Sequence, residues 1–105
     1  MAAKYAKPTL VMNIERKRFA AILAQPREKD VEYRSLSEYW LRRLENVGDA
    51  PFRLRLLNGM QPPVPEATVQ VTKVVKNRKA EEIEFHLGKV IEIKHWDRKR
   101  KRPRR

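Results

Sequence analysis

Alternation with a period of two runs through the second half of the chain and constrains its fold more than any other feature. Phe52, Leu54 and Leu56 share one parity while Arg53 and Arg55 take the other, the pattern of a strand with one buried face and one wet face. Val69, Val71 and Val75 mark a further strand, with Lys73 on their parity. After a polar loop over residues 76–82, Ile83, Phe85, Leu87, Ile91 and Ile93 keep one parity through two strands broken near Gly88. Asn58-Gly59 is a turn signal, and Gln61-Pro-Pro-Val-Pro65 is a loop. A chain patterned in this way has to build a sheet with one face on a core.

The first half carries helical spacing instead. Residues 9–14 form a short apolar run that reads as a buried strand, after which Asn13 can cap a helix reaching about residue 24. Phe19, Ile22 and Leu23 recur on one side of that helix, and Gln25-Pro26 stops it. Residues 30–34 alternate again and predict a second strand. Ser35 and Glu38 stand at the spacing of a capping box. The helix they begin carries Leu36, Tyr39, Trp40 and Leu44 on one stripe, and turn chemistry from Asn46 to Pro51 ends it. Tyr39 and Trp40 are expected to pack into the core, the alternative being an exposed ring that stacks on a base beside Arg42 and Arg43. Two helices early and several strands later predict an α+β domain with a small barrel or a curved, mostly antiparallel sheet.

Charge narrows the partners. The 105 residues suit one domain, and 41% hydrophobic content allows it a modest core. Lys and Arg number 25 against 13 Asp and Glu, a net charge of +12 that repels itself and attracts polyanions. No cysteine is present, so disulfides and thiolate metal sites are excluded, and two histidines alone make no zinc site. No metal or cofactor is expected. The N-terminus has no hydrophobic leader, and no apolar run approaches the roughly 20 residues that span a bilayer. These features predict a cytoplasmic protein, or a nuclear one, with no membrane partner.

More than half of the surplus charge lies at the C-terminus. Residues 94–105 hold eight Lys or Arg against one acid, Asp97, whereas residues 1–93 hold 17 basic and 12 acidic side chains. The division expected is a flexible N-terminus over residues 1–8, a domain over 9–96 and a disordered basic tail over 97–105. Arg98, Lys99, Arg100, Lys101, Arg102, Arg104 and Arg105 are then candidate phosphate contacts, raising affinity without reading sequence. Trp96, where body meets tail, either caps the core or stacks on a base. Arg53 and Arg55 on the outward strand face, and Arg42 and Arg43 on the second helix, extend the basic surface. His86 has the outward parity, and Ser35 is better explained as a helix cap than as a nucleophile.

Lys29-Asp-Val-Glu-Tyr-Arg34 is the densest chemistry in the body. On a strand, Glu32 and Arg34 lie on one face about 7 Å apart, with Val31 and Tyr33 opposite, and Lys29 enters from the preceding loop. A carboxylate between two cations is held in one orientation. Two readings follow from the residues: a salt-bridged patch at a strand edge, or a site whose carboxylate takes a proton or holds the cations for a phosphate.

The spacing Lys-x-x-Glu-x-Arg at 29, 32 and 34 resembles the core of the ASCH superfamily signature, Gly-x-Lys-x-x-Glu-x-Arg. The order of elements over residues 9–96 is similar too. A helix ending Phe19-Ala-Ala-Ile-Leu23 leads into the motif, Tyr39-Trp40 with Arg43-Leu44 follows, then a strand ending in Asn58-Gly59, and finally the late strand of residues 87–93. Two positions depart from the pattern. Arg27 occupies the signature's Gly, in a lengthened turn, and Glu32 stands where members resembling acetylcytidine amidohydrolases have Thr, so that activity is not carried over. The resemblance implies a PUA-like β-barrel with a cleft lined by Lys29, Glu32 and Arg34, and an association with RNA. Lys29 and Arg34 would hold a phosphate or base edge, and Glu32 would orient them or act as a base. The expectation is therefore an RNA-binding domain, with DNA as a second choice of nucleic acid. The alternatives are a small ribonuclease or nucleoside or amide hydrolase using Lys29 and Glu32, and an interaction protein whose basic face meets an acidic protein.

Overall fold

The structure, a computed structural model, describes residues 8–104. The expected flexible N-terminus, up to residue 7, and Arg105 of the basic tail lie outside the described residues. Strand β1 (Thr9–Asn13) leads to helix α1 (Arg16–Leu23), strand β2 (Val31–Ser35) and helix α2 (Glu38–Val47). Strands β3 (Phe52–Leu57), β4 (Glu66–Asn77) and β5 (Glu82–Lys94) follow, and two short strands, β6 (Trp96–Asp97) and β7 (Arg102–Pro103), end the chain. The α+β class follows the periodicity.

The first five strands form one mixed sheet in the order β1-β3-β4-β5-β2, curled into a half-barrel. Only β1 and β3 run parallel; every other neighbouring pair is antiparallel. The alternation of β3 is realised in full, with Phe52, Leu54 and Leu56 buried and Arg53 and Arg55 outside. Phe19, Ile22 and Leu23 of α1, Leu44 and Val47 of α2, and the inner residues of β3, β4 and β5 close one core.

Register shifts between β4 and β5 supply the curl and correct the parity expected from sequence. Pairing steps between Thr68 and Val69, between Val69 and Val71, and between Val71 and Lys73. Each step adds an unpaired residue, which bends the strand and moves later side chains to the other face. Residues 83–93 are therefore one continuous strand rather than two, with Val90 packed on the core and Ile91 44% exposed. On β4, Lys73 and Val75 likewise leave the buried set. Gly88 sits among these irregularities, where an added Cβ would stand 2.8 Å from Thr72 Cγ2.

The helix caps also differ from expectation. Asn13 stays in β1 and its side chain donates to Gly59 O (3.2 Å), while α1 begins after Glu15 with no side-chain cap. Ser37, not Ser35, caps α2 by accepting the Trp40 N–H at 3.4 Å, because β2 keeps Ser35 in its ladder opposite Glu82. Gly48, at φ 84°, ends α2 and donates its N–H to Leu44 O, a left-handed position that suits a residue without Cβ.

The C-terminal segment is a folded hairpin, which overturns the expected disordered tail. Trp96 pairs with Pro103 and Asp97 with Arg102. Asp97 Oδ1 accepts the N–H groups of Lys99 and Arg100 and thereby fixes the turn. Trp96 is 5% exposed and meets the Phe19 ring edge-on at 5.0 Å, while the Arg16 guanidinium lies over its indole at 5.9 Å. An aromatic anchor, a turn-fixing acid and the Arg104 N–H donated to His95 O thus order a segment that composition alone classes as unfolded.

Candidate anion site at the gap between the sheet edges

Glu32 lies at the centre of the site. It sits on β2 opposite Phe85, so the face that period two assigned to Glu32 and Arg34 is the core-facing one, and Glu32 has no exposed surface. Burying a carboxylate is costly unless cations and hydrogen bonds compensate for the lost water. Three cations do so here. Arg34 donates to Oε2 from Nη2 (2.7 Å) and from Nε (3.1 Å). Arg18, on α1, donates to the same oxygen from Nη1 at 3.1 Å. Lys29 Nζ stands 3.5 Å from Oε1, which accepts no hydrogen bond among the described residues.

Arg34 does more than neutralise Glu32. Its Nη2 also donates to Asn13 O at 2.9 Å, linking β2 at one edge of the half-barrel to β1 at the other. The sheet is thus closed at this point by a side chain instead of a strand ladder. The Arg34 guanidinium lies over the Trp40 ring at 5.3 Å, and the Lys29 ammonium over Tyr33 at 5.2 Å. Against the three cations stand Glu32 and the exposed Glu15, 3.2 Å from Arg18. The cluster keeps a positive surplus at the mouth of the gap.

Sequence reasoning brought Lys29, Glu32 and Arg34 together, and the structure unites them. It missed Arg18. Arg18 precedes the buried Ile22 by four positions, one helical turn on the same stripe, and a cation on an apolar stripe signals a buried counter-charge.

Arg27, the departure from the signature's glycine, binds the long turn to the sheet. Its Nε donates to Ile22 O (3.2 Å), Nη1 to Leu87 O (3.1 Å) and Nη2 to Gly88 O. Arg98 donates to Leu23 O at 2.6 Å, so two arginines satisfy carbonyls at the end of α1 that a glycine cap would otherwise help to pair.

The remaining candidate residues are dispersed. Arg55 is tied to Glu66 through Nε (2.9 Å) and Nη2 (3.0 Å), so its charge is already matched. Arg53 is exposed on the outer sheet face beside Gln70 and Lys89. Arg100 faces Asp97 at 3.9 Å and Lys101 faces Glu28 at 3.5 Å. Lys99, Arg102 and Arg104 are exposed on the hairpin. Trp96 is part of the core, and His86 pairs with Glu84 at 3.1 Å. Among the described residues no three His, Asp or Glu side chains gather to hold a metal, and no helix is long and apolar enough to cross a membrane.

Two surface carboxylates give the protein an acid dependence. The Arg55 hydrogen bond holds the Glu66 carboxyl below its ordinary range. Asp97 is held low chiefly by the backbone N–H of Arg100. Both groups are depressed in the fold, so their stabilisation is complete above an unfolded carboxylate pKa of about 4 and is lost as pH falls through the folded values. Acid titration followed by circular dichroism is expected to show this loss below about pH 4, smaller in Glu66→Gln and in Asp97→Asn. Wild-type acid dependence in both variants would refute the assignment.

No protein-family model, curated protein or solved structure matches this chain.

Proposed function

We propose that this protein is an RNA-binding domain that takes a phosphate at the Arg18, Lys29 and Arg34 cluster and adds nonspecific affinity through its C-terminal hairpin. The observation that carries the reading is a fully buried carboxylate holding three partly exposed cations at the open seam of a half-barrel. A buried charge costs stability, and a salt bridge kept only for the fold is replaceable by apolar packing. Cations fixed in advance lose less side-chain entropy when an anion arrives. The net charge of +12, the exposed Lys99, Arg102 and Arg104, and the resemblance of the motif to the ASCH signature support the same reading.

The test is binding of single-stranded RNA and duplex DNA across a salt series. Lys29→Gln and Arg18→Gln are each expected to weaken RNA binding several-fold, whatever the base sequence. Each is also expected to lower the slope of log K against log salt by about 0.7, the value for one lost phosphate contact on a single strand. Unchanged affinity and slope in the double variant would remove the cluster from the interface. Tighter binding to an acidic protein, with RNA unable to compete, would favour that partner instead.

A second reading, proton transfer by Glu32, has one observation in its favour: among the described residues Oε1 accepts no hydrogen bond. Its burial weighs against it, because a general base must come within about 3 Å of the proton it removes. Cleavage of RNA or of a nucleoside amide by wild type, lost in a folded Glu32→Gln variant, would establish turnover.

A further inference from the structure

Arg34 belongs to two places at once. One side of it holds Glu32, and it also lines a groove of about 430 Å³ between α2 and the β1 edge, together with Asn13, Tyr39, Trp40 and Arg43. That volume is within the roughly 300–1,000 Å³ of small-ligand sites. The charged side chains lining the groove are Arg34 and Arg43, with no carboxylate among its described residues.

The aromatic pair in this groove departs from the packing expected of it. Helical spacing places Tyr39 and Trp40 on a core stripe, yet Tyr39 is 58% exposed while Trp40 rests against the core. Their rings meet edge-to-face at 5.1 Å. Arg43, one turn along α2, holds its guanidinium 4.2 Å from the Tyr39 ring centroid, and Arg34 covers Trp40. Guanidinium, phenol, indole and guanidinium thus form a continuous ladder leading from solvent to the Glu32 cluster. Nothing in the core needs Tyr39 at this position. Tyr39 carries a guanidinium on one face and leaves much of its ring in solvent for a base, while Arg43 and Arg34 in the same groove supply donors for a phosphate, and stacking of this kind tolerates any base.

We propose that the groove between α2 and β1 is a nucleotide-stacking site for single-stranded RNA, with Tyr39 as the base platform and Arg43 and Arg34 as its phosphate contacts. The proposal rests on the RNA-binding reading and adds to it a preference for unpaired bases.

The experiment compares a fluorescein-labelled ten-nucleotide oligouridylate with an abasic ribose-phosphate oligomer of equal length, by anisotropy on the full chain. Wild type is expected to bind the oligouridylate about tenfold more tightly, the effect of one stacked base. Tyr39→Ala is expected to erase that preference while leaving abasic binding and melting temperature unchanged, since the ring is exposed. Arg43→Gln is expected to weaken both oligomers. Equal binding of the two oligomers by wild type, or a preference that survives Tyr39→Ala, overturns the stacking site and leaves the RNA reading intact. Failure of wild type to bind either oligomer at low salt overturns both.

Discussion

Glu32→Gln is expected to melt roughly 15 °C below wild type, although it changes a single oxygen to an amide nitrogen. The carboxylate is the common partner of Arg18, Lys29 and Arg34, and without it three cations face one another at the seam. Removing one partner of a buried ion pair costs about 3–5 kcal/mol. The three cations are partly exposed and regain some water, so the lower end of that range, about 3 kcal/mol, is the expectation. This is a large share of the 5–15 kcal/mol that stabilises a typical domain. Arg34 also loses its orientation toward Asn13 O, which loosens the link between the two sheet edges. Sulfate or phosphate is expected to restore part of the lost stability, and to raise the melting temperature of the variant more than that of wild type. Chloride at equal ionic strength is the control. A variant that melts within about 2 °C of wild type would show that Glu32 does not organise the cluster.

Trp96→Ala is expected to be at least as damaging. The indole is buried against Phe19 in the middle of α1, and truncating a buried aromatic side chain costs about 3–5 kcal/mol. Ending the chain at residue 93 removes Trp96, the Arg98 bond to Leu23 O and the Lys101 pair with Glu28 together. Loss of RNA binding in such a truncation would not separate missing charge from a damaged fold. The clean test of the hairpin's charge is Lys99→Gln, Arg102→Gln and Arg104→Gln in combination, because these side chains are exposed. That variant is expected to keep the wild-type melting temperature and to show weaker RNA binding with a shallower salt slope. Urea unfolding of Trp96→Ala with a wild-type midpoint would contradict the core role assigned to the indole.

Both cases mark where sequence reasoning succeeds and where it stops. Period-two spacing put Glu32 and Arg34 on one strand face, which is correct because neighbouring residues of a strand point to opposite sides by local geometry. The same spacing failed for Ile91, because register shifts opposite Thr68 and Val71 depend on how two long strands fit around a curve. Charge density classed residues 97–105 as unfolded. The folded hairpin depends on Trp96 reaching Phe19, a contact across 77 positions that composition does not register.

The sequence by itself determined the α+β class, the inward parity of β3, the +12 charge and the local grouping of Lys29, Glu32 and Arg34. These properties follow from side-chain chemistry and from backbone repeats of a few residues. Only the tertiary structure decided that Glu32 is buried, that Arg18 joins it from α1, and that Arg34 closes the seam to β1. It alone also decided that Tyr39 faces solvent and that the basic end of the chain folds. The reason is that each of these depends on which distant surfaces share a core, and the energy of burying a charge or a ring is set by neighbours the chain meets only after it has folded.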